Sequence, residues 1–140
     1  MKTAVVYWSG TGNTEAMAGS VAEGAKSAGA EVSVFTAADF SADMVDQFDS
    51  IAFGCPSMGS EQLEDSEFEP MFNACEAKLS GKKVGLFGSY GWGGSYMNDW
   101  EQRVKAAGAE LAAPGLLVLG APDEAAVASC RELGAALTKA

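Results

Sequence analysis

The sequence contains no histidine. Ser-His and Cys-His nucleophilic pairs and histidine-ligated zinc are thereby excluded. Cysteine is scarce too: Cys55, Cys75 and Cys130 are 3 in number, widely spaced, with no C-x-x-C pair. They do not make a disulfide framework, and small core thiols in a reducing, cytoplasmic setting are the expectation. Basic residues are few, 9 Lys+Arg against 19 Asp+Glu, for a net charge of −10. Such a surface repels nucleic-acid backbones and anionic membranes, so neither is expected as a partner. It can steer association with a basic protein surface, or simply keep the chain soluble. Long apolar runs are missing as well. The stretch Ala4–Trp8 that follows Met1-Lys2-Thr3 is too short for the core of a signal peptide, and no later run approaches membrane-spanning length.

What is present is an alternation of two periodicities along 140 residues, the length of one domain spanning 1–140. Short apolar runs occur at Ala4–Trp8, Val32–Phe35, Ile51–Cys55, Val84–Phe87 and Leu116–Leu119. Nearly continuous hydrophobicity bounded by Gly, Pro or Ser predicts strands buried on both faces of a parallel sheet. Between them lie helical patterns. Met17, Val21 and Ala25 share a face over 13–28, and a short helical segment falls near 41–47. Phe68, Phe72, Cys75 and Leu79 mark a third helix, with Ser66 and Glu69 as a capping box. Met97, Trp100 and Val104 line a fourth, which makes Trp100 a core residue. Asp123 opens a fifth, carrying Val127, Cys130, Leu133 and Leu137. Five strands alternating with five helices predict a three-layer, doubly wound α/β sandwich with right-handed crossovers. Periodicity alone leaves the strand order open, 2-1-3-4-5 being one of two common solutions.

Three connections carry the chemistry. The first, Ser9-Gly10-Thr11-Gly12-Asn13-Thr14, lies between a strand and a helix. Its small residues let backbone N–H groups turn around an anion, and the helix adds its positive end. With no Lys or Arg, it suits one terminal phosphate held by neutral hydrogen bonds. It is not a P-loop, because no Lys follows the glycines. A dinucleotide fingerprint fails too, since Glu15 stands where a third small residue belongs. The second connection, Pro56 to Asp65, is long for its type, and Gly59 would let the Gly59–Ser60 peptide adopt two orientations. The third, Gly88-Ser89-Tyr90-Gly91-Trp92-Gly93-Gly94-Ser95-Tyr96, sets aromatics among glycines, as a loop would that presents a flat π face to a ligand. Trp8, at the end of the first strand, suits either core or ligand. All three connections leave the carboxyl edge of a parallel sheet, where open α/β folds bind ligands. A planar heterocycle on a phosphorylated chain fits them.

These residues resemble the short-chain flavodoxins over the whole chain, through Tyr7-Trp8-Ser9-Gly10-Thr11-Gly12-Asn13-Thr14, Met58-Gly59-Ser60-Glu61 and Gly85-Leu86-Phe87-Gly88-Ser89-Tyr90-Gly91-Trp92-Gly93. The resemblance implies strand order 2-1-3-4-5 and non-covalently bound FMN. It also implies a low-potential, one-electron carrier shuttling between semiquinone and hydroquinone, and not an enzyme. Ser9, Gly10, Thr11, Gly12, Asn13 and Thr14 would bind the phosphate. Met58 would pack one flavin face and Trp92 the other, and Glu61 would accept from flavin N3–H. Backbone N–H groups around Tyr90, Gly91, Trp92 and Gly93 would meet the pyrimidine oxygens. Ser57 and Ser89 would lie near the ribityl chain, and the Gly59–Ser60 peptide would turn its carbonyl toward flavin N5. Glu61, Glu64 and Asp65 would oppose the second electron. No role is assigned to Gly120-Ala121-Pro122. Partners would be redox proteins with basic docking surfaces, and the carrier would be a cytoplasmic monomer.

Two alternatives share the fold. A small FMN-dependent quinone or nitro reductase needs a substrate space beside the ring, and no extra segment here builds one. A phosphoacceptor domain needs clustered acids after the first strand and an Asp after the third. Those positions read Tyr7-Trp8-Ser9 and Gly54-Cys55-Pro56.

Overall fold

A computed structural model describes residues 1–58, 63–91 and 94–139. β1 (Lys2–Tyr7), β3 (Ser50–Gly54) and β4 (Lys83–Tyr90) form the centre of a parallel sheet. β2 (Glu31–Thr36) lies outside β1, and the far side of β4 is covered by β5 (Glu110–Leu111) and β6 (Leu116–Leu119). The order is therefore β2-β1-β3-β4, with the fifth place shared by β5 and β6. This is the doubly wound arrangement expected from the alternation, with one refinement. The fifth strand is interrupted by Pro114, which has no N–H for the ladder, and by Gly115, whose N–H donates to the Glu101 carboxylate at 2.7 Å.

The periodicity that predicts fully buried strands holds for β3, buried along its whole length. It fails for β6, where only Val118 is buried and Leu119 is exposed, and for β2, which is half exposed and turns Val34 outward. β2 is an edge strand, paired with β1 alone.

Helices α1 (Asn13–Ser27) and α5 (Glu124–Ala136) cover one face. α3 (Phe68–Glu76), α4 (Tyr96–Ala106) and the short α2 (Ala42–Val45) cover the other. Met17, Val21 and Ala25 are fully buried on α1. The Asp123 side chain caps α5 by accepting from the Ala126 N–H at 2.8 Å.

The α1/α5 contact is unusually close. A Cβ on Gly24 would overlap the Arg131 carbonyl, and one on Gly134 would overlap the carbonyl of Val21. The opposite layer is packed by rings instead. Trp100 lies edge-on to Phe68 and Phe72 and stacks with Tyr96, which makes it a core residue as its spacing predicts. Arg103 joins α4 to α3 by a forked pair to Glu69 and a second contact to Glu76, with its guanidinium over Phe72. All three cysteines are free and buried, and burial pushes their thiols up, Cys55 to about 12 and Cys75 and Cys130 to about 11.

The α3 cap differs from its expected form. Glu69 is drawn to Arg103, and the Ser66 hydroxyl donates to Glu64, so Ser66 and Glu69 form no capping box. The cap is the Glu64 carboxylate, which accepts from the N–H groups of Ser66 (2.9 Å), Glu67 (2.8 Å) and Phe68 (2.9 Å). An ionised carboxylate is a stronger acceptor than a serine hydroxyl, and it meets the positive end of the helix.

Candidate functional site

β1, β3 and β4 end side by side, and the connections leaving them are tied together. The Trp8 N–H donates to Gly54 O at 3.0 Å, Cys55 N–H to Phe87 O at 3.1 Å, and Ser57 N–H to Ser89 O at 3.0 Å. Between them opens a cleft of about 320 Å³. Of the candidate residues, Gly10, Thr11, Asn13, Ser57, Met58, Ser89, Tyr90 and Gly91 line it. Gly59, Ser60, Glu61, Trp92 and Gly93 lie outside the described residues.

Ser9, Gly12 and Thr14 belong to the first turn but are not among the residues lining the cleft: Gly12 is exposed, Ser9 half-buried and Thr14 buried. The Ser9 hydroxyl oxygen accepts from the Gly12 N–H at 3.0 Å, closing the turn on itself. Gly12 has φ 93°, in the left-handed region where a Cβ is strained, and it makes no side-chain cap for α1. The first N–H groups of α1 are thus left to face an external acceptor. Thr14 is 1% exposed, and its hydroxyl pairs with that of Ser89 at 3.2 Å, joining the first turn to the third. Replacing Thr14 with Val leaves the buried Ser89 hydroxyl without this partner. The expected loss is about 1 kcal/mol of apoprotein stability, read from urea denaturation.

Glu15 follows the turn, yet its carboxylate accepts from the Tyr7 hydroxyl at 3.2 Å. Burial, then the bond and charge of Glu15, raise the Tyr7 pKa, so the phenol stays a donor. Glu64, expected among the charges close to the ligand, lies apart from the cleft lining. Burial pushes its pKa up, but the hydrogen bonds from Ser66, Phe68 and Glu67 outweigh this and hold it at about 2, so it stays ionised against α3.

Three further residues line the cleft without having been among the candidate site residues: Trp8, which the sequence left open between core and ligand, Pro56, the first residue of the second connection, and Gly120, to which no role was assigned. The Trp8 indole forms a wall and donates to Glu67 Oε1 at 3.1 Å. Gly120 follows the last residue of β6 at the same carboxyl edge, and its N–H donates to Tyr90 O at 2.9 Å. A glycine at the end of the fifth strand was the available signal, since all these strands finish on one edge.

A phosphorylated flavin fits this cleft. The turn 10–14 offers an uncapped helix end and side chains of Thr11 and Asn13, and the walls are Trp8, Met58 and Tyr90. The family model for flavodoxin matches residues 5–134. A flavodoxin of Megasphaera elsdenii is 51% identical over 137 residues, covering 97% of this chain and 98% of that protein. One from Clostridium beijerinckii is 46% identical over 131 residues, 93% of this chain and 94% of that protein. The solution structure of two-electron reduced Megasphaera elsdenii flavodoxin superposes with a TM-score of 0.89 at 50% identity, covering 99% of both chains. A flavodoxin from the domain Archaea superposes with a TM-score of 0.89 at 29% identity, covering 98% of this chain and 96% of that one. The reductase alternative is not favoured by these relatives. Full-length likeness, the shared sheet order and a cleft framed by three turns place this chain in the flavodoxin family, the FMN-binding carriers of electrons.

Proposed function

We propose that FMN lies in the cleft between the three turns, and that the chain works as a low-potential carrier taking one electron at a time. The carrying observation is the cleft lining: among the described residues it holds hydroxyl, amide, thioether and aromatic groups, and no Lys or Arg. Bound FMN supplies the redox chemistry of its tricyclic ring. The chain's residues do the rest. The backbone of Gly10 to Thr14 and the side chains of Thr11 and Asn13 hold the phosphate by neutral hydrogen bonds. Met58, Tyr90 and Trp8 flank the ring and limit water. Ser57 and Ser89 accompany the ribityl chain, while Glu61, Trp92 and the Gly59–Ser60 peptide keep the roles that the family implies. With no cation in the lining to offset added negative charge, and a net charge of −10 around it, the second electron is opposed.

The same acidity fits redox partners with basic docking faces, free buried thiols fit a cytoplasmic setting, and a monomer is the state proposed for such a carrier. No described helix is long and apolar enough to cross a membrane. Potentiometric titration of the loaded protein should resolve two separate one-electron steps, the second well below that of free FMN. A single two-electron step overturns the assignment.

Placement of the phosphate has its own test. Gly12→Ala forces a Cβ into a positive-φ position at a strain of roughly 1–2 kcal/mol. FMN should bind roughly tenfold more weakly, and riboflavin, which lacks the phosphate, as before. Fluorescence titration of the apoprotein with each compound reads both.

A further inference from the structure

We propose that Tyr96 is a positioning residue for the flavin ring, acting through Cys55 and the segment that follows it, an assignment that rests on placing FMN in the cleft. Tyr96 is the first residue of α4 and is 3% exposed. Its hydroxyl reaches across to β3 and donates to the Cys55 carbonyl at 2.7 Å. β3 has just ended there, and Pro56, Ser57 and Met58, all of which line the cleft, come next. The space for this bond is kept by Gly88, where a Cβ would overlap both the Cys55 carbonyl oxygen and the Tyr96 hydroxyl.

Cys55 also receives the far end of the same connection. The Glu64 N–H donates to its Sγ at 3.4 Å. Both ends of the segment between β3 and α3 are therefore fastened at one residue, the first through Tyr96 and the last through Glu64. Burial raises the Tyr96 pKa, so the phenol remains protonated and able to donate throughout the working pH range. Loss of that bond frees the peptide immediately before the wall formed by Pro56, Ser57 and Met58. The ring should feel this, and the phosphate, held by the turn at the head of α1, should not.

Tyr96→Phe removes one oxygen and keeps the ring that stacks on Trp100. Apoproteins of the wild type, Tyr96→Phe and Gly12→Ala would each be titrated with FMN and with riboflavin, and unfolded in urea. Tyr96→Phe should weaken both compounds by the same factor, roughly fivefold, because both carry the ring. Gly12→Ala should weaken FMN alone. A Tyr96→Phe chain that is less stable yet binds both compounds as the wild type does overturns the inference and leaves Tyr96 a packing residue. A Gly12→Ala chain with undiminished FMN affinity overturns the placement in the cleft instead.

Discussion

Replacing Gly134 with alanine will destabilise the apoprotein by about 1–2 kcal/mol, although alanine is the better helix former. Two effects compete. Gly to Ala in a helix gains about 1 kcal/mol of propensity, while forcing a methyl into a filled contact typically costs about 1–3 kcal/mol. At Gly134 the new carbon would overlap the Val21 carbonyl and crowd the Ala25 N–H, both backbone groups of α1 that cannot rotate away. Sterics should win, and α1 and α5 must move apart. Gly19 provides the opposite case on the same helix pair. It is exposed on α1, and nothing lies within 4 Å of its absent Cβ. Gly19→Ala should therefore stabilise by about 1 kcal/mol. Urea midpoints moving in opposite directions, at unchanged m, are the expected outcome. A stabilising Gly134→Ala would show that the two helices can separate at little cost.

Glu64→Gln should lower stability at neutral pH by about 3 kcal/mol and remove a pH dependence along with it. The wild-type carboxylate is 4% exposed and receives three backbone N–H groups and one hydroxyl. An amide offers one acceptor oxygen and no charge in their place. Its folded pKa, about 2, lies below the ordinary 4.5, so the folded state binds its proton less readily than the unfolded state. The stabilisation is then present in full above about pH 4.5 and is lost as pH falls from there toward 2. A depression of this size corresponds to about 3 kcal/mol. The difference in unfolding free energy between wild type and Glu64→Gln should stay constant from pH 7 to 5 and shrink steadily below that. Parallel curves down to pH 2 would refute the cap. α3 then begins less firmly, and the connection from β3 is loosened at its far end.

Most of the fold was legible because each element obeys one period. β1, β3 and β4 are apolar on both faces, and α1 repeats its buried residues every fourth position. What escaped has local causes. β2 reads like its neighbours yet is half exposed, because an edge position is set by strand order and not by composition. Ser66 and Glu69 match a capping motif, but Arg103, 34 residues beyond Glu69, offers a charged fork that no local pattern reveals. The first turn of the cleft was legible because its residues are contiguous, and Gly10, Thr11 and Asn13 line the cleft. Trp8 and Gly120 complete the cleft from the ends of β1 and β6, strands far apart in sequence and separated in the sheet by β3 and β4, and only the folded chain brings both to one cleft.

The three sheltered thiols make the molecule its own clock. Cys75 belongs to the aromatic layer and Cys130 to the layer of close-crossing helices, and Cys55, buried in the aromatic layer as well, immediately precedes the cleft residue Pro56. A thiol reagent can reach each only when its layer opens. Comparing how fast the three are modified would reveal whether one side of the sheet breathes ahead of the other, and whether filling the cleft slows Cys55 more than the rest.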